Sequence, residues 1–94
     1  MPAYWFSSAD VVDEAALADY GKLARPAIEG RGGRYLARGG RHVNLEGTAR
    51  QRHVIIEFPS LEAAQACYDS PEYQEALVFA KKAVVRDAVI VEGL

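Results

Sequence analysis

The sequence is poor in features that would announce a function. Cysteine occurs once, at Cys67, which excludes an internal disulfide and any metal site built from several cysteines. The two histidines, His42 and His53, stand eleven residues apart, too weak a pattern to assign a metal. There is no Ser-His-Asp arrangement, no glycine-rich phosphate loop and no cofactor motif, so no cofactor is expected. No apolar run approaches the roughly 20 residues a membrane-spanning helix needs, and no membrane association is expected. Net charge is only −2, so nothing draws the chain as a whole toward nucleic acid or an anionic surface. The first residues, Met1 to Phe6, carry no basic region ahead of their apolar side chains, unlike a secretory signal. The cytoplasm is the expected location.

What is present reads as one globular domain over residues 1–94. Half the residues are hydrophobic and 26% are charged, the balance of a folded chain. Tyr4 to Ser8 is aromatic-rich and predicts a first strand at about 3–10. Asp13 is a good N-cap with Glu14 in the first turn. Leu17, Tyr20, Ala24, Ala27 and Ile28 then recur at helical spacing. Pro26 should kink this helix near its end, and Gly30, Gly32 and Gly33 should stop it. Tyr35-Leu36-Ala37 predicts a second strand, interrupted by a bulge or bend at Gly39-Gly40 and continuing extended through His42 to Glu46. Val54 to Phe58 is the clearest strand, ended by Pro59. Ser60 caps a second helix. Ser70-Pro71 starts another, to about residue 83, because Pro is tolerated at the first helical position. Ala88-Val89-Ile90-Val91 predicts the last strand.

The resulting order is β-α-β-β-α-β with the second helix broken in two, an α+β ferredoxin-like sandwich with an antiparallel sheet. Its helices cover one face of the sheet. The other face should alternate polar with apolar if it meets water. It does not: Ile55 opposes Val54, Ile56 and Phe58, residues 88–91 are all apolar, and strand one places Tyr4 and Phe6 opposite Trp5. A second copy is the simplest cover for the remaining face, so a homodimer is expected.

Four blocks carry a resemblance over nearly the whole chain: Gly32-Gly33-Arg34-Tyr35-Leu36-Ala37-Arg38-Gly39-Gly40, Ile56-Glu57-Phe58-Pro59-Ser60, Ser70-Pro71-Glu72-Tyr73 and Val89-Ile90-Val91-Glu92-Gly93. In this order and spacing they resemble a small bacterial domain-of-unknown-function (DUF) family, similar to the dimeric α+β barrel, ferredoxin-like superfamily. The resemblance implies two sheets packed face to face around a cavity. It brings no established activity, since the wider superfamily holds cofactor-free monooxygenases, isomerases, haem enzymes and ligand-sensing domains.

Several residues are candidates for a site. Glu57 sits in an otherwise apolar strand, where a carboxylate must pair with a cation or act as an acid or base. The structural alternative is an ion pair with Arg38 or Arg52. His53 shares the Glu57 side of the strand and could move protons near neutral pH; a partly exposed strand-end histidine is the alternative. Arg38 precedes a glycine pair and could hold a carboxylate or phosphate, or else serve a salt bridge. Trp5 is the aromatic expected to line the cavity, with the Ser7 hydroxyl on the same face. Tyr73 falls in a recurrent block of the resemblance. Residues 31–52 hold six arginines and one acid. This is not a low-complexity RNA-binding tract, but it could attract an anionic ligand. The expectation is a small-molecule site between sheets, for an anionic organic acid or carbonyl compound, with Glu57 or His53 as base and Arg38 as anion holder. The competing reading is a non-catalytic dimeric ligand-binding or stress-associated module in which Glu57 and Arg38 are structural.

Overall fold

The computed structural model describes all 94 residues. The elements are β1 (Ala3–Val11), α1 (Glu14–Glu29), β2 (Arg34–Arg38), β3 (Arg52–Phe58), α2 (Leu61–Asp69), α3 (Pro71–Ala83) and β4 (Val84–Glu92). The strands form one antiparallel sheet in the order β2-β3-β1-β4. This is the ferredoxin-like α+β plan with its second helix in two pieces. No helix is long and apolar enough to cross a membrane.

Short-range chemistry sets the helix ends. The Ala16 N–H donates to Asp13 Oδ1 at 3.1 Å and the Ala63 N–H to Ser60 Oγ at 3.0 Å, satisfying donors that the first turns leave free. Ser70 serves two helices at once. Its hydroxyl donates to the Cys67 carbonyl at 2.7 Å and accepts from the Tyr73 N–H at 3.2 Å. Ser70 therefore closes α2 and opens α3, with Pro71 at the first position of α3. α1 runs on through Pro26 to Glu29. Gly32 then takes a left-handed backbone (φ 88°), which costs glycine little.

Three local expectations change. The β2 irregularity lies between Tyr35 and Ala37, not at Gly39-Gly40. Residues 42–46 form no strand: Gly39 turns the chain at φ 67°, its N–H bonds to the His53 carbonyl at 3.0 Å, and the segment beyond has no partner strand. Arg50 instead pins this loop to the far end of the sheet through Asp87 at 3.1 Å and Asp10 at 3.6 Å. β4 begins at Val84, four residues before the apolar run, because long β1 supplies a partner for every residue as far as Val11↔Val84.

The core lies between the sheet and the helices. Trp5, Ile56, Phe58, Ile28, Cys67 and Tyr73 belong to one buried cluster. Tyr73 is fully buried, and the Trp5 and Tyr73 rings meet edge to face at 5.0 Å. The opposite face of the sheet has no covering layer. Phe6, Val85, Val89 and Val91 are exposed there.

Candidate functional site

Pairing register decides which side chains share a face. Trp5 lies opposite Ile56 and Ser7 opposite Val54, so Trp5 and Ser7 point toward the helices with the even-numbered residues of β3. Glu57 lies opposite Tyr4 and His53 opposite Ser8; both point to the uncovered face. The expected constellation of Trp5, Ser7, Arg38, His53 and Glu57 around one cavity is therefore corrected: the sheet itself stands between its two halves. Alternation within each strand groups that strand's own residues, but only the register says which group of one strand joins which group of the next.

On the uncovered face, Glu57 pairs with Arg34 at 2.7 Å, not with Arg38 or Arg52. The Tyr4 hydroxyl approaches the same carboxylate at 3.5 Å. His53 Nδ1 meets Ser8 Oγ at 3.2 Å, and its ring stacks on Phe6 and lies 4.5 Å from that of His42. No third ligating side chain joins the two histidines.

On the helix face, a cavity of about 380 Å³ opens between α1 and the sheet. Its floor follows from residue size. The row Arg52–Ala9–Arg86 crosses three adjacent strands, and the next row is Val54–Ser7–Ala88. The central strand contributes only an alanine and a serine, so nothing large fills the space beneath α1. Leu17, Ala18, Tyr20 and Gly21 of α1 form the roof, and Trp5 and Tyr35 close one end. Lys22, Arg25, Arg38, Arg52 and Arg86 line the cavity, while no Asp, Glu, His or Cys does. Arg25 is paired with Glu29. Lys22, Arg38, Arg52 and Arg86 pair with no carboxylate. Arg38 lies over the Tyr35 ring at 4.7 Å. A groove of about 670 Å³ beyond Trp5, between α2 and β4, has only Glu62 and Asp69 as charged lining residues, so the two concavities differ in sign.

Behind the cavity, Arg86 donates to the Tyr73 hydroxyl at 2.7 Å and to that of Tyr20 at 3.3 Å, and the two phenol oxygens are 2.7 Å apart. Tyr73 thus meets the site through its hydroxyl while its ring belongs to the core. Burial works against the Arg86 charge, but the phenol oxygens offset it and its pKa is raised. Burial also raises the Tyr73 hydroxyl, and it pushes Tyr35 from 10.0 up to about 12. The folded chain therefore holds phenol protons that the unfolded chain releases. That stability is complete below pH about 10 and is lost as pH rises toward about 12. A tyrosinate absorbance titration should show these two phenols ionising late, together with the loss of far-ultraviolet circular dichroism.

Tyr20, Ala9, Arg52 and Arg86 were not singled out as site residues from sequence. Arg86 had a legible signal: with β4 extended to Val84, it is the one charged residue in the helix-facing alternation Val84, Arg86, Ala88, Ile90.

Comparison with solved structures shows the same fold. A protein of unknown function from Rhodopseudomonas palustris superposes with a TM-score of 0.81 at 22% identity, covering 99% of this chain and 82% of that one. A dimeric ferredoxin-like protein of unknown function from Jannaschia sp. gives 0.69 at 15% identity, covering 99% and 100%. A cofactor-independent oxygenase from Streptomyces nogalater gives 0.68 at 8% identity, covering 99% and 93%. No protein with a curated description matches the sequence. The sequence does match, over residues 2–94, the family described as Domain of unknown function (DUF1330), and the chain belongs to that family.

Proposed function

We propose that the protein binds a small organic anion with an apolar body, in the cavity between α1 and the sheet. The observation that carries this reading is the lining: five cationic side chains, four of them without a carboxylate partner, on apolar walls and with no acid among them. The volume falls within the roughly 300–1,000 Å³ usual for small-molecule sites. The lining holds no carboxylate, imidazole or thiol that could accept a proton near neutral pH. It therefore suits holding a carboxylate, or stabilising a carbonyl compound as its oxyanion, better than abstracting a proton.

Glu57 and His53 take another part in this account. They belong to the uncovered face, which we assign to a second copy of the chain. The exposed apolar side chains there support this, as do the dimeric descriptions of several fold neighbours. The Arg34–Glu57 pair favours a structural role for Glu57. The lone thiol of Cys67 suits a reducing compartment, and we assign the protein to the cytoplasm.

The test is a thermal-shift panel of organic acids, their neutral amides and amines of the same shape. An acid present at a hundredfold its Kd should add about 2.7 kcal/mol, which at about 4–8 °C per kcal/mol for a domain this size raises Tm by roughly 10–20 °C. Ala9→Leu fills the floor of the cavity and should abolish the shift in a chain that still folds. Equal stabilisation by amines, or an undiminished shift in Ala9→Leu, would overturn the proposal.

A further inference from the structure

We infer that Arg86 and Tyr20 form the anion anchor of this cavity, and that together they select a planar carboxylate carried on an aromatic or conjugated body. The inference rests on the cavity being a ligand site and says which end of the ligand is read, and by which atoms.

Arg86 gives one N–H to the Tyr73 oxygen and one to the Tyr20 oxygen. Its guanidinium carries five N–H groups, so three remain. The contact between the two phenol oxygens, at 2.7 Å, uses one of their two O–H hydrogens. The other must point elsewhere. Tyr73 is fully buried and its hydroxyl has no further acceptor, so a free hydrogen there would cost about 1–3 kcal/mol. Tyr73 therefore donates to Tyr20, and Tyr20 turns its own hydrogen outward. Tyr20 and Arg86 both line the cavity. What faces the ligand is one O–H and a guanidinium fork, all donors, around a positive charge that no carboxylate of the protein neutralises.

Such a cluster fits an anion and offers nothing to a cation or to a ligand that only donates. A guanidinium fork matches a flat carboxylate with two parallel hydrogen bonds. The body of the ligand then runs from Arg86 past Ala9 and Ser7 toward the rings of Trp5 and Tyr35. Flat walls of this kind favour a flat body. The Arg86 guanidinium is also held over the Tyr20 ring at 5.3 Å, so it is positioned before the ligand arrives.

The experiment is isothermal titration calorimetry with trans-cinnamate and its neutral isostere cinnamamide. The native chain should bind cinnamate at least tenfold more tightly than the amide. Arg86→Gln and Tyr20→Phe should each reduce that preference to about threefold or less while leaving amide binding in place. Tyr20→Phe removes a single hydroxyl at the cavity wall and keeps the test alive should Arg86→Gln fail to fold. A preference that survives in Tyr20→Phe and in folded Arg86→Gln, but disappears in an Arg38→Gln/Arg52→Gln double variant, would overturn the anchor and leave the cavity reading standing. Absence of binding by both compounds to the native chain at millimolar concentration would overturn both.

Discussion

Tyr73→Ala should cost about 3–5 kcal/mol, the usual range for emptying a buried aromatic site. Small domains have a total stability of only about 5–15 kcal/mol, so this variant should be largely unfolded or close to it. Tyr73 is fully buried. Its ring touches those of Trp5, Tyr68 and Tyr20 at centroid distances of 5.0, 5.4 and 6.1 Å, and its hydroxyl holds Arg86. Removing the side chain opens a void at the junction of α1, α3 and the sheet and strips the half-buried Arg86 guanidinium of its shorter hydrogen bond. Tyr73→Phe keeps the ring and loses only the hydroxyl, at about 1–3 kcal/mol. Chemical denaturation of the two variants separates the contributions. A loss below about 1 kcal/mol in Tyr73→Ala would mean the site collapses without strain and that the core is not organised around this ring.

The second large effect belongs to the uncovered face. Phe6→Asp should convert a dimer into a monomer of 10.3 kDa. Phe6 lies opposite Ile55 on one side and Val89 on the other, at the centre of the apolar side chains that the helices leave bare. Only 17 of 94 residues are buried in the single chain, so a second copy has much apolar surface left to cover. A carboxylate placed in the middle of that contact has no cation opposite it within its own chain. Leaving it unpaired in a closed interface costs several kcal/mol, a weakening of association by at least a hundredfold. Sedimentation equilibrium at micromolar concentration should show about twice the chain mass for the native protein and the chain mass for the variant. A native protein that sediments as a single chain would remove the assignment of Glu57, His53 and Phe6 to an interface.

Much of the fold was legible because its signals are local. Asp13, Ser60 and Ser70 announce helix starts by side-chain chemistry that needs no tertiary context. Val54 to Phe58 announces a strand by composition. The broken second helix follows from Ser70-Pro71 alone. What was not legible depends on distant partners. β4 starts at Val84 only because β1 is long enough to pair with it, while Arg86 and Asp87 hide the strand in the hydropathy pattern. The candidate site was half legible for the same reason. Trp5, Ser7 and Arg38 line a concavity, but one beneath α1 and not between two sheets, and Glu57 takes an ion pair, but with Arg34 and not Arg38 or Arg52. Yet whether Trp5 and Glu57 share a face depends on one register, and a shift of one residue would have reversed the answer. The cavity itself comes from small residues, Ala9 and Ser7, and small residues leave little trace in a sequence.

The central claim is that ligand occupies the helix face of the sheet and not the face that carries His53 and Glu57. Side-chain methyl resonances test it directly, because neighbouring residues of one strand report on opposite faces. During titration with trans-cinnamate, the methyl groups of Leu17, Val54, Ile56 and Val84, which line the cavity, should shift, while those of Ile55, Val85 and Val91 stay in place. Shifts at Ile55, Val85 and Val91 with Val54, Ile56 and Val84 unmoved would contradict the account.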